Sequence, residues 1–358
     1  MTTPRIGLAL SGGGFRATAF GLGCLRALQD RDLLQHVSVV SGISGGSLLT
    51  AMWAYGPAEF AEFDDSVVQL LRSGLQAELA RRAFAPTAIV KSASSALRAT
   101  VPGQRRGYSR TDALIAALSS RTFGSRDVAD VTHPGRSVIL SATDMNTGNA
   151  VRFGSRVSSC SAYGKILDSV TVAEAVAASA AFPILLPAMT REYEFENRDG
   201  HRTHETVVMT DGGVYDNLGL SPLLPNRSTA HTSHTYDLDF LIAADAGRGH
   251  AHRRAARFLP GRLSQSFDIT YGKTQDASRG RIHDAAAAGQ INGFVHAYLG
   301  MRDSKLPVPI QDLVPRERVE KYPTNFAAMS ADDLSAVSVR GEQLTRLLLS
   351  HYHADLGT

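Results

Sequence analysis

Residues 37–50 place the strongest constraint on how this chain of 358 residues can fold. A short β-branched run is followed by the segment G-I-S-G-G (residues 42–46), which leads into residues that can continue as a helix. The order strand, G-x-S-x-G and helix is the layout of a nucleophile elbow, here with Ser44 on the sharp turn. Glycines flank such a serine because a Cβ atom there would collide with the neighbouring backbone. An ordinary Gly/Ser-rich loop can carry the same pattern, so both interpretations stay open on this stretch alone.

A second glycine-rich turn follows an apolar run over residues 5–10, which predicts a short buried strand. The turn contains Gly12, Gly13 and Gly14, and a helical pattern then continues through Leu28. Successive backbone N–H groups in such a loop can bind the oxygen of a reacting carbonyl group. The loop is therefore a candidate oxyanion hole for the serine of the downstream turn.

The same loop has a second interpretation as a dinucleotide-binding turn. Gly12, Gly14 and Ala17 match the fingerprint G-x-G-x-x-G/A of dinucleotide-binding folds. That fingerprint expects an acidic residue at the end of the next strand, whereas residues 40–42 are Val-Ser-Gly. An oxidoreductase that binds a dinucleotide with the Gly12 loop therefore remains the alternative from another functional class.

Three aspartates near predicted strand ends are candidates for a catalytic acid or base. Asp211 follows a strand-like run and precedes two glycines, Asp245 ends the apolar run 239–245, and Asp144 fits an Asx-type turn better. Catalytic groups collect at the carboxyl ends of strands in open α/β sheets. None of the 12 histidines follows a catalytic motif, and surface positions are expected for them. A carboxylate, with Asp211 first and Asp245 second, is thus the candidate base for Ser44.

Composition and charge narrow the functional classes. The formal charge of +3 is small for this length and argues against nucleic acid as the main partner. Cys24 and Cys160 form no C-x-x-C or His/Cys metal spacing, so neither a disulfide framework nor a zinc site is expected. The first residues lack the features of a secretory signal, and no window approaches 18 uninterrupted apolar residues. We therefore predict a cytoplasmic protein that contacts membranes only peripherally.

The order of strand-like and helix-like runs predicts an α/β fold. Two pairs of strand-like runs, over residues 136–153 and 193–209, are each interrupted by a polar turn and predict hairpins. Residues 332–352 predict a final amphipathic helix, in which Gly341 is a candidate break.

The expected domain organisation is a catalytic domain over residues 1–300, with a helical insertion at about residues 59–121. Residues 301–358 are expected to form a C-terminal extension that packs on the same domain. The insertion is predicted to contain two helices separated at Pro86, which either pack as ordinary helices or form a lid over the serine. The densest positive run, residues 248–262, is interpreted as a solvated surface or as a contact for phospholipid headgroups.

Considered jointly, these motifs make the sequence resemble the patatin-like phospholipases. Residues 11–16, S-G-G-G-F-R, resemble the G-G-G-x-R/K loop of that family. Residues 42–46 resemble its G-x-S-x-G turn, and residues 211–213 resemble its D-G-G/A motif. Two supporting stretches, residues 142–148 and 178–183, are similar as well.

This resemblance covers about residues 5–247 and implies both a fold and a chemistry. The implied fold is a three-layer α/β/α sandwich of the patatin type, with a central mostly parallel sheet and added helices. The implied activity is that of a lipid acyl hydrolase, phospholipase A-like, which hydrolyses acyl esters of membrane glycerophospholipids. Ala17 departs from the glycine that the family usually has after the loop arginine, and is closer to the related cytosolic phospholipase A2 group.

The resemblance also implies roles for individual residues. Ser44 would be the nucleophile and Asp211 the general base of a Ser–Asp dyad. The oxyanion loop would comprise Gly12, Gly13, Gly14 and Arg16. The implied scheme requires neither a metal nor a cofactor.

A further hypothesis concerns regulation, because the resemblance thins past Gly247. The chain would then be an effector phospholipase that stays latent until a regulatory ligand or protein binds the helical or C-terminal additions. The sequence leaves open the lipid headgroup, the ester position, the acyl length and the oligomeric state.

Overall fold

The structure, a computed structural model, describes residues 4–83, 109–183, 185–249 and 255–356. The helix boundary expected at Pro86 and part of the positive run 248–262 lie outside these ranges. The strands in the described residues are β1 (Ile6–Leu10), β2 (Val37–Gly42), β3 (Ser137–Asp144), β4 (Ala150–Gly154), β5 (Ser159–Cys160), β6 (Gly164–Ile166), β7 (Met189–Glu196), β8 (Arg202–Asp211), β9 (Phe240–Asp245) and β10 (Gly293–Tyr298). The α-helices there are α1 (Gly14–Gln29), α2 (Gly45–Tyr55), α3 (Phe60–Ser73), α4 (Gln76–Ala83), α5 (Arg110–Leu118), α6 (Val172–Ser179), α7 (Gly213–Asp216), α8 (Leu259–Ala287), α9 (Arg316–Val319) and α10 (Ala331–Tyr352). None of the helices in these ranges is both long enough and apolar enough to cross a membrane.

Five strands form the parallel half of one sheet, in the order β10-β9-β1-β2-β3. Their side chains alternate between two apolar clusters. Leu8 and Leu10 belong to the cluster that contains residues of α1, α2 and α10, whereas Ala9 belongs to the cluster that contains Ile282 of α8. Helices therefore cover both faces of this half, which explains why β1 and β9 are continuous apolar runs in the sequence.

The remaining strands are antiparallel and close on themselves. The order continues β3-β4-β5-β6-β7-β8, and β8 pairs back with β3, so these six strands form a ring. Both predicted hairpins form here, as β3–β4 and β7–β8, because their short turns leave no room for a crossover helix. The predicted α/β class is confirmed, but the sheet is parallel in one half only and is not mostly parallel.

The region predicted as a helical insertion contains α3, α4 and α5. Gly74 ends α3 in a left-handed conformation (φ 72°), and its N–H donates to the Leu70 carbonyl at 2.9 Å. Ser109 caps α5, since its hydroxyl accepts the Asp112 N–H while the Asp112 carboxylate accepts the Ser109 N–H. Gly74 thus separates α3 from α4, a boundary that the sequence did not predict, and Ser109 fixes the start of α5.

The C-terminal helix α10 packs directly on α1, the helix that begins at the glycine loop. A Cβ atom at Gly23 would lie 1.8 Å from the Ser338 carbonyl oxygen, and one at Gly341 would lie 2.3 Å from that of Phe20. The helix continues through Gly341, so the candidate break there is wrong. The glycine at this position allows two helix backbones to approach closely, and the packing compensates for its low helix propensity.

Candidate active site

The predicted strand–turn–helix forms around Ser44, which lies between β2 and α2. Ser44 has φ 52° and ψ −117°, a conformation that a residue with a side chain rarely adopts. A Cβ at Gly45 would lie 2.0 Å from the Gly14 carbonyl oxygen, and one at Gly46 would lie 2.2 Å from that of Leu10. The glycines of the turn are therefore required by the close approach of the upstream glycine loop.

Ser179, at the end of α6, holds the turn in place. Its Oγ accepts the Ser44 N–H at 3.0 Å and donates to the Ser141 carbonyl at 2.6 Å. The Ser47 hydroxyl lies 2.7 Å from the same Oγ. Sequence reasoning assigned no role to Ser179, although it lies in one of the stretches that resemble the family. The signal available was a lone hydroxyl at the end of a helix whose other residues, apart from Glu174, are small and apolar.

Asp211 is the last residue of β8 and lies opposite Ala142 of β3. Its side chain is almost fully buried, at 2% exposure, and Oδ1 accepts the Gly213 N–H at 2.7 Å. Burial raises the pKa of this carboxyl group to about 6, although hydrogen bonds from Gly213 and from the Ser44 hydroxyl partly oppose the rise. The carboxylate therefore interacts with the serine hydroxyl and is basic enough to accept a proton near neutral pH.

One cavity of about 280 Å³ brings the predicted residues together. It is lined by all six of them: Gly12, Gly13, Gly14, Arg16, Ser44 and Asp211. The wall opposite the serine comes from α8, through Tyr271 and Gln275, and from Asn325. Residues far apart in the sequence thus surround one space beside the serine.

The three glycines of the loop differ in what their N–H groups do. The Gly12 N–H donates to the Asn217 carbonyl at 2.9 Å, so it is not free to bind an oxyanion. Within the described ranges, the N–H groups of Gly13 and Gly14 have no acceptor. Gly14 has φ 57°, and a Cβ there would lie 2.6 Å from the Asn325 carbonyl oxygen. The N–H groups available to an oxyanion are therefore those of Gly13 and Gly14. Gly12 contributes only the space that the absence of a side chain leaves.

Arg16 connects the glycine loop to two distant segments through hydrogen bonds. Its Nε donates to the Ala246 carbonyl at 3.1 Å, and Nη1 donates to the Tyr322 carbonyl at 2.8 Å. Burial, together with repulsion from Arg248, lowers the pKa of its guanidinium group to about 9. These bonds tie the start of α1 to the end of β9 and to the C-terminal segment, which favours an orienting role for Arg16.

The two other candidate aspartates have different environments. The Asp245 carboxylate is buried, but it lies 2.6 Å from Arg279 and 3.0 Å from His296. Burial alone would raise its pKa, whereas these two partners lower the pKa to about 2. Asp144 accepts the N–H and the hydroxyl of Thr147, the Asx-type turn expected from the sequence. Neither residue lines the cavity beside Ser44.

No histidine among the described residues lines this cavity. His296 pairs with Asp245 instead, and His234 is fully buried in a different part of the molecule. The expectation of surface positions is therefore wrong for His234, whose ring hydrogen-bonds Ser159 at 3.1 Å. No group of three or more His, Cys, Asp or Glu side chains in the described parts of the chain is arranged to hold a metal ion.

Comparisons with known proteins were made for the whole chain. Lysophospholipase 2 of Candida glabrata is 31% identical over 134 residues, which cover 35% of this chain and 16% of that protein. Human GIVD cytosolic phospholipase A2 has a similar fold, with a TM-score of 0.56 and 13% identity over 96% of this chain and 61% of that chain. Its complex with methyl gamma-linolenyl fluorophosphonate gives a TM-score of 0.54 with 14% identity, over 96% of this chain and 57% of that chain. The chain thus spans less than two thirds of these relatives.

A family model described as patatin-like phospholipase matches residues 8–224. The match includes the glycine loop, Ser44 and Asp211, and it extends over more than half of the chain. The chain therefore belongs to the patatin-like phospholipase family.

Proposed function

We propose that this protein is a lipid acyl hydrolase, phospholipase A-like, that hydrolyses acyl esters of glycerophospholipids. The observation that carries the proposal is the single cavity lined by Ser44, Asp211, Gly13 and Gly14. A nucleophile, a base and free N–H donors are the groups that acyl transfer to water requires. Membership of the family supplies the class of substrate, a lipid ester.

In the first half of the reaction, the Ser44 Oγ attacks the carbonyl carbon of the ester. The hydroxyl proton passes to Asp211, whose pKa of about 6 leaves it ionised at neutral pH and still able to accept a proton. The N–H groups of Gly13 and Gly14 hold the negative charge that develops on the carbonyl oxygen. The tetrahedral species then collapses, and the leaving alcohol takes the proton from Asp211.

In the second half, water hydrolyses the acyl–serine ester. Asp211 is again the base and removes a proton from the attacking water, while the same two N–H groups hold the oxyanion. Collapse releases the fatty acid and returns the proton to the Ser44 Oγ. One carboxylate thus serves both halves, and the scheme routes no step through a metal or a cofactor.

The outer face of α8 supports a substrate presented at a lipid surface. Tyr271 on its inner face lines the cavity, whereas Leu259, Leu263 and Ile269 are 67%, 63% and 59% exposed. Exposed apolar groups next to a cation such as Arg262 suit the boundary between headgroups and acyl chains of an anionic membrane. We propose that contact with membrane phospholipids is peripheral and takes place in the cytoplasm.

We further propose the three-layer sandwich of the patatin type for the parallel half of the sheet and its two layers of helices. Residues 1–300 would be the catalytic domain, with the insertion at 59–121, and residues 301–358 would be an extension packed on it. One contact favours the regulated alternative, because the Asn325 carbonyl accepts the Phe15 N–H at 2.9 Å. A ligand or protein that moves this C-terminal segment would also move the oxyanion loop.

The oxidoreductase alternative has little support from these contacts. The strand after the glycine loop, β2, ends at Gly42 without an acidic residue for a ribose. The backbone at Gly14, which would approach a pyrophosphate in that alternative, already lies against the Asn325 carbonyl group. A fluorescence titration with NAD and NADP tests it directly, and saturable binding would restore the alternative.

Mass spectrometry of the products from a mixed lipid extract tests the proposed function. We expect the wild-type protein to release fatty acids and lysophospholipids, and the Ser44→Ala variant to release neither, because it lacks the nucleophilic oxygen. Ser335→Ala, an exposed change on α10, is the matched control and should keep full activity. Equal product from Ser44→Ala and the wild type would refute the dyad.

A further inference from the structure

The antiparallel ring contains a second cavity that shares no lining residue with the cavity beside Ser44. Its volume is about 950 Å³, and its walls come from β4–β6, the β7–β8 turn and residues 229–235. Small-molecule sites usually have volumes of about 300–1,000 Å³. The cavity is therefore large enough for a ligand of its own.

Cations dominate the lining of this second cavity. Arg152, Arg156, Lys165 and Arg198 line it, and none of the four forms an ion pair with another described residue. The carboxylates in the lining are Glu196 and Asp199, and Glu196 already lies 3.7 Å from the Arg202 guanidinium. The lining therefore carries four cationic and two carboxylate side chains, a net excess of positive charge.

Arg152 is the most unusual of these cations because it is buried. Its exposure is 4%, its Nη2 donates to the Ser221 hydroxyl at 3.2 Å, and its Nε has no acceptor among the described residues. The face of the Tyr215 ring, 5.7 Å away, is its other favourable contact. A buried guanidinium without a carboxylate is costly, and a bound anion would offset that cost.

The side chains close to Arg152 do not neutralise its positive charge. Burial, together with repulsion from Arg152 and Arg227, lowers the pKa of His234 to about 3, so the ring is neutral at physiological pH. Neutral His234 hydrogen-bonds the Ser159 hydroxyl, which lines the cavity. The neighbourhood thus provides hydroxyl groups and positive potential, which is the environment that phosphate oxygens require.

We propose that this cavity binds a phosphorylated ligand through Arg152, with Arg156 and Lys165 at its rim. An arginine fork can donate two parallel hydrogen bonds to a phosphate, and the Nε of Arg152 has no acceptor among the described residues. The phosphate could belong to a free metabolite or to the headgroup of a phosphorylated lipid. Both sources share the chemistry that the cavity recognises.

Titration calorimetry of the full chain with inorganic triphosphate, at about 150 mM salt, tests the site. We expect saturable binding by the wild type and a loss of about 10-fold or more in affinity for the double variant Arg156→Gln/Lys165→Gln. Both changes are at exposed positions and should leave the fold intact. Arg152→Gln should abolish binding, and the rim variant keeps the test valid if Arg152→Gln does not fold.

The matched control is Arg302→Gln/Lys305→Gln, which removes the same residue types at exposed positions outside the cavity. It should bind triphosphate within about twofold of the wild type. A second arm measures co-sedimentation with phosphatidylcholine vesicles that do or do not contain phosphatidylinositol bisphosphate. Arg156-dependent binding of triphosphate without vesicle binding identifies a free phosphate ligand, and vesicle binding identifies a headgroup. No binding in either arm, or equal losses in rim and control variants, would overturn the proposal.

Discussion

Asp211 and Asp245 are both buried aspartates at the ends of strands, yet their surroundings give them opposite ionisation behaviour. Asp211 ends β8 with a backbone N–H and a serine hydroxyl as its neighbours, and burial raises its pKa to about 6. Asp245 ends β9, and Arg279 and His296 outweigh the effect of burial and lower its pKa to about 2. Burial is similar in the two cases, so the contacts with Arg279 and His296 account for the difference.

This comparison separates a candidate base from a structural ion pair. A carboxylate with a pKa near the working pH can accept a proton from a hydroxyl group and later return it. A carboxylate held by Arg279 and His296 is a poor proton acceptor and stabilises the fold instead. Sequence reasoning ranked Asp211 above Asp245 by motif, and the environments of the two residues support the same order by a physical argument.

The largest expected effect is on ester hydrolysis. We expect Asp211→Asn to lower kcat/KM by about 10⁴-fold because the serine loses its general base, whereas Asp245→Asn should lose no more than about tenfold. The assay uses a short-chain p-nitrophenyl ester, which needs no lipid surface. In the wild type, kcat/KM should rise with pH through about 6 as Asp211 ionises. Equal losses in the two variants would remove the distinction between the aspartates.

The second largest expected effect is that of Asp245→Asn on the free energy of unfolding, measured with urea at pH 7. Asp245→Asn removes the more buried of the two carboxylates that pair with Arg279 and should lower the free energy of unfolding by about 3 kcal/mol. Because the pKa of Asp245 is depressed, its contribution is present above about pH 4 and is lost as the pH falls towards 2. An unchanged midpoint of unfolding at pH 7 would contradict this role.

Asp211→Asn should change stability in the opposite direction. The folded pKa of about 6 lies above the value of 3.8 expected for the unfolded chain, so ionisation of Asp211 disfavours the folded state. The variant should therefore gain about 3 kcal/mol above pH 7, and the gain should disappear below about pH 4, where the carboxyl group is neutral in both states. Urea unfolding of wild type and variant across this pH range measures the gain. A destabilised variant at pH 8 would show that the carboxylate is not strained by burial.

The smallest effect concerns backbone strain at Ser44, beside the same carboxylate. Ser44→Gly and Ser44→Ala both remove the nucleophile, but only glycine adopts the positive φ without steric cost. We expect the glycine variant to exceed the alanine variant in stability by about 1 kcal/mol, as measured by thermal unfolding. Equal stabilities would mean that the turn stores no strain at this position.

Several elements of the fold could be predicted because their determinants are local. The β7–β8 hairpin follows from the polar turn at residues 197–200, and the turn at Asp144 follows from its own side chain. The elements that could not be predicted depend on distant partners. The ring closes because β8 pairs with β3, about 70 residues upstream. Gly341 remains helical because α1 packs against it, although its propensity alone favours a break.

The candidate site likewise combines features that local sequence determines with contacts that depend on distant residues. The six predicted residues that line the cavity beside Ser44 all belong to motifs, yet three supporting contacts were not foreseen. Ser179 holds the Ser44 N–H, Asn217 occupies the Gly12 N–H, and Asn325 covers Gly14. Polar side chains and carbonyl groups of this kind carry no signature, because any loop of suitable position can supply them.

The sequence by itself determined the backbone of the site. The glycines around Ser44 and in the upstream loop specify turns that other residues would block, so these turns follow from residue type alone. Only the tertiary structure decided what each group can do there. Among the described residues it leaves the N–H groups of Gly13 and Gly14 without an acceptor, and it pairs Asp245, but not Asp211, with Arg279 and His296. Ionisation depends on dielectric and on charges brought from distant parts of the chain, and a local sequence pattern contains neither.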